Sequence, residues 1–297
     1  MVSINKRIIG GKEYYYLEHS FREGEKVQKK ELYLGKTIPK TIAELQRQFI
    51  YGIYKEKWFK SFDLIRQKFS KEQKTMPKSL KEKTLEHFMV KFTYDTNRIE
   101  GSKLTYRDTA NLLEKGTTPK SKPLDDIKET EAHKKVFYEM LEYKKDLVLQ
   151  IVLYWHKLLF ENTKTDIAGQ IRKHQIGISG SRFMPPSPAE VDVLLSEFFR
   201  WYARNREKLH PVELAALVHL RLVTIHPFGD GNGRISRLLM NFVLKKHGFP
   251  MFNIHYENRS SYYTALERSQ IKNNDHIFLQ WLFKRYLKEY EKYLKNK

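Results

Sequence analysis

The densest chemistry in the chain lies in residues 226–237: His226-Pro227-Phe228-Gly229-Asp230-Gly231-Asn232-Gly233-Arg234-Ile235-Ser236-Arg237. His226 is the only group there that can take a proton near neutral pH. Asp230 offers a hard carboxylate oxygen, the kind Mg²⁺ uses when it bridges phosphates. Gly229, Gly231 and Gly233, with Asn232, make a loop whose backbone can adopt turns closed to bulkier residues. That loop opens into an apolar helix carrying Leu238, Leu239, Phe242 and Val243. Its free N–H groups and the positive end of the dipole form an anion site. Arg234 and Arg237 are three residues apart, so they share a helix face beside that site. Each can fork onto phosphate oxygens. A base, a metal ligand, an anion nest and two guanidiniums suit attack by a hydroxyl on a nucleotide phosphate. A solvated helix cap with two surface arginines would not need so many of these groups in twelve residues.

A second group, Thr96-Asn97-Arg98-Ile99-Glu100-Gly101, follows a helical pattern and stops at a glycine. Glu100 falls near the C-terminal end of that helix, where the dipole disfavours a carboxylate. A cationic partner elsewhere in the fold would resolve the conflict, since Arg98 is too near in sequence to face it squarely.

These residues must be positioned by helices. Apolar periodicity predicts helices over 104–114, 125–142, 146–160, 189–204, 211–224, 233–246 and from Ser260 to the C-terminus. The exception is 171–188. There Gln175-Ile176-Gly177-Ile178, a Ser179-Gly180-Ser181 turn and Arg182-Phe183-Met184 read as a small hairpin, ended by Pro185-Pro186. The first forty residues differ from the rest. Gly10-Gly11 and the run 22–26 mark turns between three strands, a β-meander. From Thr41 a capping-box signature opens a long helical connector, broken near Met76-Pro77. The predicted domains are 1–40, 41–90 and 91–297, the last with a core of about 125–250.

The 226–237 segment matches the signature of the Fic family, His-Pro-Phe-x-Asp-Gly-Asn-Gly-Arg-x-x-Arg, at every specified position. The resemblance extends over roughly 85–297. Ala168-Gly169-Gln170-Ile171-Arg172, Gln175-Ile176 and Phe183-Met184-Pro185-Pro186 look like the family's flap region. Ser261-Tyr262-Tyr263-Thr264-Ala265-Leu266 resembles the segment after its core. The resemblance implies a mainly α, Fic-type helical core with a β-hairpin flap, preceded here by the N-terminal β-meander. It implies transfer of AMP from ATP to a Ser, Thr or Tyr hydroxyl of a target protein. His226 would be the base and Asp230 the Mg²⁺ ligand. Gly231, Asn232 and Gly233 would cradle phosphates, and Arg234 and Arg237 would hold the triphosphate. Tyr263 would line the adenine pocket, and Ile176, Gly177 and Ile178 of the flap would pin the target by strand addition. Doc-type members, which transfer a phosphoryl group, usually carry Lys where this chain has Gly233. Phosphocholine transfer is not separated by the motif.

Thr96-x-x-x-Glu100-Gly101 is similar to the family's inhibitory motif. The resemblance implies that Glu100 pairs with Arg237, supported by Thr96, and blocks productive placement of the ATP γ-phosphate. Removal of AMP by the same site is a secondary expectation. Self-modification and a homodimer complete the implied partners, beside ATP and an unidentified hydroxyl-bearing protein.

Composition narrows the rest. The 297 residues hold 55 Lys and Arg against 35 Asp and Glu, a net charge of +20, and no Cys. Thiol nucleophiles, thiolate metal sites and disulfides are thereby excluded, and a reducing, cytoplasmic setting is expected. Residues 1–90 carry 20 basic and 11 acidic side chains, close to half of the excess. Aromatic and basic residues of the meander (Tyr14, Tyr15, Tyr16, Lys6, Arg7, Lys12, Lys29, Lys30) leave an alternative open. On that reading the meander binds nucleic acid, or the core acts only as a nucleotide-binding regulator. The most apolar stretch, 147–160, is interrupted by Gln150, His156 and Lys157 and is too short to span a bilayer, so no membrane partner is expected. The histidines outside the loop show no metal spacing and are read as packed or solvated. Lys164 and Arg172 flank the flap and receive no role.

Overall fold

The computed structural model describes residues 2–23 and 26–295. It divides into two compact units, residues 1–63 and 64–297, with the division inside one long helix.

In the first unit, β1 (Ser3–Ile9), β2 (Lys12–Glu23) and β3 (Lys26–Gly35) form an antiparallel sheet in that order. Gly10 and Gly11 both have positive φ, which permits the two-residue turn joining Ile9 to Lys12. The second expected turn centres on residues 24 and 25, outside the described residues. A register shift between Tyr15 and Tyr16 interrupts the β2–β3 ladder. Leu17 is fully buried and pairs with Ile4 on one side and Leu32 on the other. Helix α1 (Ile42–Thr75) begins in this unit, where His19 Nε2 lies 3.3 Å from the Tyr54 hydroxyl.

The second unit holds the site. Helix α2 (Lys78–Ile99) follows the break at Met76-Pro77. Helix α3 (Tyr106–Lys115) starts on a Thr105–Asp108 capping box and stops at Gly116 in the left-handed region. Helices α4 (Leu124–Glu142) and α5 (Leu149–Phe160) lead to a long irregular connection. Then come α6 (Pro188–Asn205), α7 (Pro211–Ile225) and α8 (Asn232–Lys246). Both α7 and α8 are buried along nearly their whole length and pack closely on each other. A helix apolar all round is stable only inside a core, and α7 meets that condition. Helices α2, α4 and α5 contact α8, so residues from all three reach its first turns.

Two expectations give way. The C-terminal helix is broken: α9 (Arg259–Ile271) and α10 (Asp275–Glu289) are separated at Lys272-Asn273-Asn274. Asn273 takes positive φ and the Asn274 side chain caps α10, accepting from the His276 N–H. The 171–187 segment keeps a turn at Ser179-Gly180 but forms no strand ladder. Pro185 and Pro186 have no N–H to donate. Facing carbonyls are taken by side chains instead: Arg172 donates to His174 and Pro186 oxygens, and Gln175 to the Pro185 oxygen. Among the described residues no helix is long and apolar enough to cross a membrane.

Candidate active site

The loop between α7 and α8 is strained and braced. His226 ends α7 with φ +53°, an uncommon region for a residue with a side chain. Arg172 holds it there: Nε donates to the His226 oxygen at 2.7 Å and its backbone N–H to the Pro227 oxygen at 2.9 Å. His156 braces the other end. Its ring stacks on Phe228 with centroids 3.9 Å apart, and Nε2 lies 3.0 Å from the Asp230 carbonyl. Its Nδ1 accepts from the Gly169 N–H at 2.9 Å, so Nε2 must carry the proton. Desolvation by burial pushes the His156 ring down to about 4, which keeps that neutral form.

His226 Nδ1 lies 3.1 Å from the Val223 carbonyl. A carbonyl only accepts, so Nδ1 holds the proton and Nε2 keeps its lone pair. Burial lowers the ring's basicity and outweighs the opposing pull of the Val223 carbonyl and Glu100. A neutral imidazole is the form a general base requires.

Asp230 is ionised although it is partly desolvated. Desolvation works against its charge, but Arg234 and Lys164 outweigh it and hold the carboxyl at about 2. Lys164 Nζ donates to Oδ2 at 2.6 Å, while Oδ1 accepts from the Gly231 N–H and lies 3.4 Å from Arg234 Nη2.

At the start of α8, the N–H groups of the first turn have no partner within the helix. Above them sits the Glu100 carboxylate. A β-carbon added to Gly233 would collide with Glu100 Oε1 and crowd Arg237 Nη1. Glu100 caps α2, and its Oε1 accepts from Arg237 Nη2 at 2.6 Å. Arg237 is 1% exposed and also donates to Thr96 Oγ1 (2.5 Å), Thr96 O (3.2 Å) and the Tyr262 hydroxyl (3.3 Å). Among these partners only Glu100 brings full negative charge.

These groups line a cleft of about 860 Å³ that takes in Glu100, His226, Asp230, Gly233, Arg237 and Tyr263. Gly177 and Ile178 of the flap line it as well. Its size suits a nucleotide.

A sequence profile described as the Fic/DOC family matches residues 146–244. Proteins named protein adenylyltransferase Fic are similar: that of Drosophila melanogaster is 35% identical over 59% of this chain and 36% of its own length. The Nematostella vectensis protein is 32% identical over 65% of this chain and 45% of its own. The chain thus spans less than half the length of these relatives. A solved Fic-domain-containing signaling protein from Bacteroides thetaiotaomicron superposes with TM-score 0.71 at 30% identity, over 79% of this chain and 96% of that one. The chain belongs to the Fic family. A structure of Fic-1 from C. elegans gives TM-score 0.71 at 25% identity, over 85% of this chain and 75% of that one.

Within this Fic fold, the residues singled out from sequence take unequal positions. His226, Asp230, Gly231, Asn232, Gly233, Arg237, Glu100 and Tyr263 meet at the cleft. Thr96 lies beneath, on Arg237. The Tyr263 hydroxyl donates to the Ile99 carbonyl at 3.1 Å, which leaves its ring partly open to the cleft. Two expectations change. Asn232 does not turn its side chain to the cleft: Oδ1 accepts from the Phe228 N–H at 2.9 Å and Nδ2 donates to the Phe228 oxygen at 2.8 Å. Arg234 is buried on Glu129 and Asp230 rather than open to a ligand. Ile176 is half-buried, and its carbonyl is taken by the neighbouring Gln175 amide.

Sequence reasoning missed Lys164, Glu129, His156 and Arg172, which shape the Fic loop from other elements. Lys164 and Arg172 stood out only as flanking the flap, and His156 only as an interruption of an apolar helix. A different set of potential metal ligands, Asp95, His255 and Glu257, brings its atoms within 4.8 Å of one another. There Asp95 and then Glu289 hydrogen-bond His255 and raise its ring to about 9. A protonated imidazole supplies the positive charge an ion would bring. In the sheet, Lys6 pairs with Glu13, and Arg7 and Lys29 pair with Glu18 and Glu31.

Proposed function

We propose that the chain transfers AMP from ATP to a Ser, Thr or Tyr hydroxyl of a protein, and that Glu100 holds this activity down. The observation that carries the reading is the Glu100 carboxylate over Gly233 on Arg237, inside the cleft that also holds the neutral His226. An anion already occupies the place where a phosphate would meet α8 and a guanidinium. The name of the Drosophila and Nematostella relatives agrees with this chemistry.

In the proposed reaction His226 Nε2 accepts the proton of the target hydroxyl. The hydroxyl oxygen attacks the α-phosphorus, and the bond to the β-phosphate oxygen breaks. AMP remains on the target as a phosphodiester and pyrophosphate leaves. The Nδ1–H bond to Val223 keeps the base in its productive tautomer, and Arg172 keeps the strained His226 backbone in place. Backbone N–H groups at Asn232 and Gly233 would meet phosphate oxygens. Arg237, once free of Glu100, would take the far phosphates.

The residues fit Mg²⁺: Asp230 is an ionised carboxylate on the cleft wall, and the Lys164 ammonium already stands on its Oδ2 as a cation. When bound, Mg²⁺ would neutralise phosphate charge. We place the reaction in the cytoplasm, where ATP and Mg²⁺ are abundant. We do not adopt nucleic acid as a partner for the sheet, because Arg7 and Lys29 on its outer strands are both paired with Glu18 of the strand between them.

The test uses ATP labelled at the α-phosphate and a His226→Ala variant. Transfer of label to protein is expected to vanish, while nucleotide affinity by calorimetry stays within about threefold, since the base is not a phosphate ligand. Undiminished labelling by His226→Ala would remove the proposed base and the reaction built on it.

A further inference from the structure

Lys164 lies in the turn after α5, its backbone N–H donating to the Phe160 carbonyl at 2.9 Å and its ammonium 5.0 Å from the Phe160 ring. From there it reaches two carboxylates: Asp230 Oδ2 at 2.6 Å and Glu129 Oε1 at 3.0 Å. Arg234 spans the same pair from the other side, on Glu129 Oε2 and Asp230 Oδ1. Two cations and two anions alternate in a closed ring. The cations are not equivalent. The Arg234 side chain is 4% exposed and locked into α8, whereas that of Lys164 is 37% exposed on a flexible stem. If Asp230 must release one partner, Lys164 is the one that can leave. Glu129 gives it a second place to stand without losing its ion pair.

We propose that Lys164 is a positioning residue that competes with a divalent cation for Asp230 Oδ2. It keeps the metal position closed in the nucleotide-free protein and withdraws to Glu129 when metal arrives with phosphates. The inference rests on the reading of Asp230 as the metal ligand. Its physical basis is charge. With Lys164 on Oδ2, an incoming divalent ion meets a satisfied carboxylate and a repelling ammonium at once. A nucleotide changes the sum, because its phosphates bring the negative charge that lets both cations stay. A metal site of this kind loads the metal–nucleotide complex in preference to free metal.

The test measures Mn²⁺ affinity of the full chain by the electron paramagnetic resonance of the free ion. Without nucleotide, Lys164→Gln is expected to bind Mn²⁺ about tenfold more tightly than wild type. That is the scale of removing a unit charge a few ångströms from a divalent ion in a partly solvated site. Lys164→Arg, which keeps the charge, should stay near wild type. With a saturating non-hydrolysable ATP analogue, the Gln variant's advantage should shrink below about threefold, because the phosphates now offset the ammonium. Equal affinities of wild type and Lys164→Gln, with weaker binding by Asp230→Asn, would overturn the role of Lys164 and leave Asp230 standing as the ligand. Unchanged Mn²⁺ binding by Asp230→Asn in both backgrounds would overturn the ligand reading, and the proposal with it. An advantage that persists undiminished with the analogue would overturn the coupling to nucleotide.

Discussion

Replacing Glu100 by Gly removes what is, among the described residues, the only fully charged partner of a guanidinium that is 1% exposed. The contact is a 2.6 Å charge-assisted bond, worth about 1.5–3 kcal/mol net. In the wild type a nucleotide must displace it before Arg237 can receive a phosphate. At about 1.4 kcal/mol per factor of ten, that lowers the productive nucleotide-bound fraction by roughly 10- to 150-fold. Glu100→Gly should therefore raise the initial rate of AMP transfer, including transfer onto the chain itself, by that range at subsaturating ATP. Glu100→Gln keeps the shape and a neutral acceptor, so its gain should be smaller. Stability provides an independent readout. Arg237 loses its counter-charge but keeps Thr96 and Tyr262, and Glu100 itself is about a quarter exposed. The variant without nucleotide should thus lose about 1–3 kcal/mol rather than the full cost of an uncompensated buried charge. ATP, whose phosphates would supply the missing charge, should raise the melting temperature of Glu100→Gly more than that of wild type. Labelled ATP and thermal melts with and without nucleotide decide the matter. Equal labelling by variant and wild type, together with equal melting shifts on ATP addition, refutes the inhibitory reading.

His156→Phe preserves the stack on Phe228 but strands the Gly169 N–H and the Asp230 carbonyl, both of which are half-buried and bond to that ring. A loss of about 2–4 kcal/mol is expected in urea melts, and a loss under about 0.5 kcal/mol would show that the loop is braced elsewhere. His255 predicts a pH dependence of stability. Its bonds to Asp95 and Glu289 raise it to about 9 from an ordinary 6.5, so the stabilising contribution is complete below pH 6.5 and disappears as pH rises through 9. With its partial exposure, about 1–3 kcal/mol should be lost across that window. Melts from pH 6 to 10 should show this decline in wild type and not in His255→Gln, and an identical decline in both would discard it.

What the sequence could reveal follows from how each group is assembled. The 226–237 loop was legible because the proposed base, the carboxylate and the glycine-rich turn lie within a few residues of one helix start. Glu100 was legible from a local conflict: a carboxylate at the wrong end of a helix needs a cation, and Arg237 is that cation in the fold. The sheet was legible from Gly10-Gly11, which allows a turn that other pairs resist. Lys164, Glu129, His156 and Arg172 were not, because each does its work across a gap in sequence that only packing closes. Lys164 meets Asp230 66 positions away, and Arg234 meets Glu129 105 positions away. The flap misled for a different reason. Its alternation of polar and apolar residues reads as strands, but a ladder needs facing N–H groups, and there prolines and the Arg172 and Gln175 side chains dispose of the carbonyls.

The two arginines of the loop show why spacing alone assigns too much. Three positions apart, they share a face of α8 and look interchangeable as phosphate ligands. Their surroundings separate them. Arg234 faces α4 and the loop, where Glu129 and Asp230 hold it as part of the frame. Arg237 faces α2 and α9, where Thr96 and Tyr262 orient the guanidinium with neutral oxygens and a single carboxylate completes it. A cation with one removable anionic partner can exchange it for a phosphate. A cation that also holds Asp230, the proposed metal ligand, cannot do so without disturbing that carboxylate. The same logic applies to the chain's large positive charge. At the cleft, and at Arg7 and Lys29 of the sheet, the cations are paired with carboxylates, so a ligand reaches them by replacing a carboxylate. Of those carboxylates, Glu100 is the one placed where such a replacement would switch the proposed reaction on.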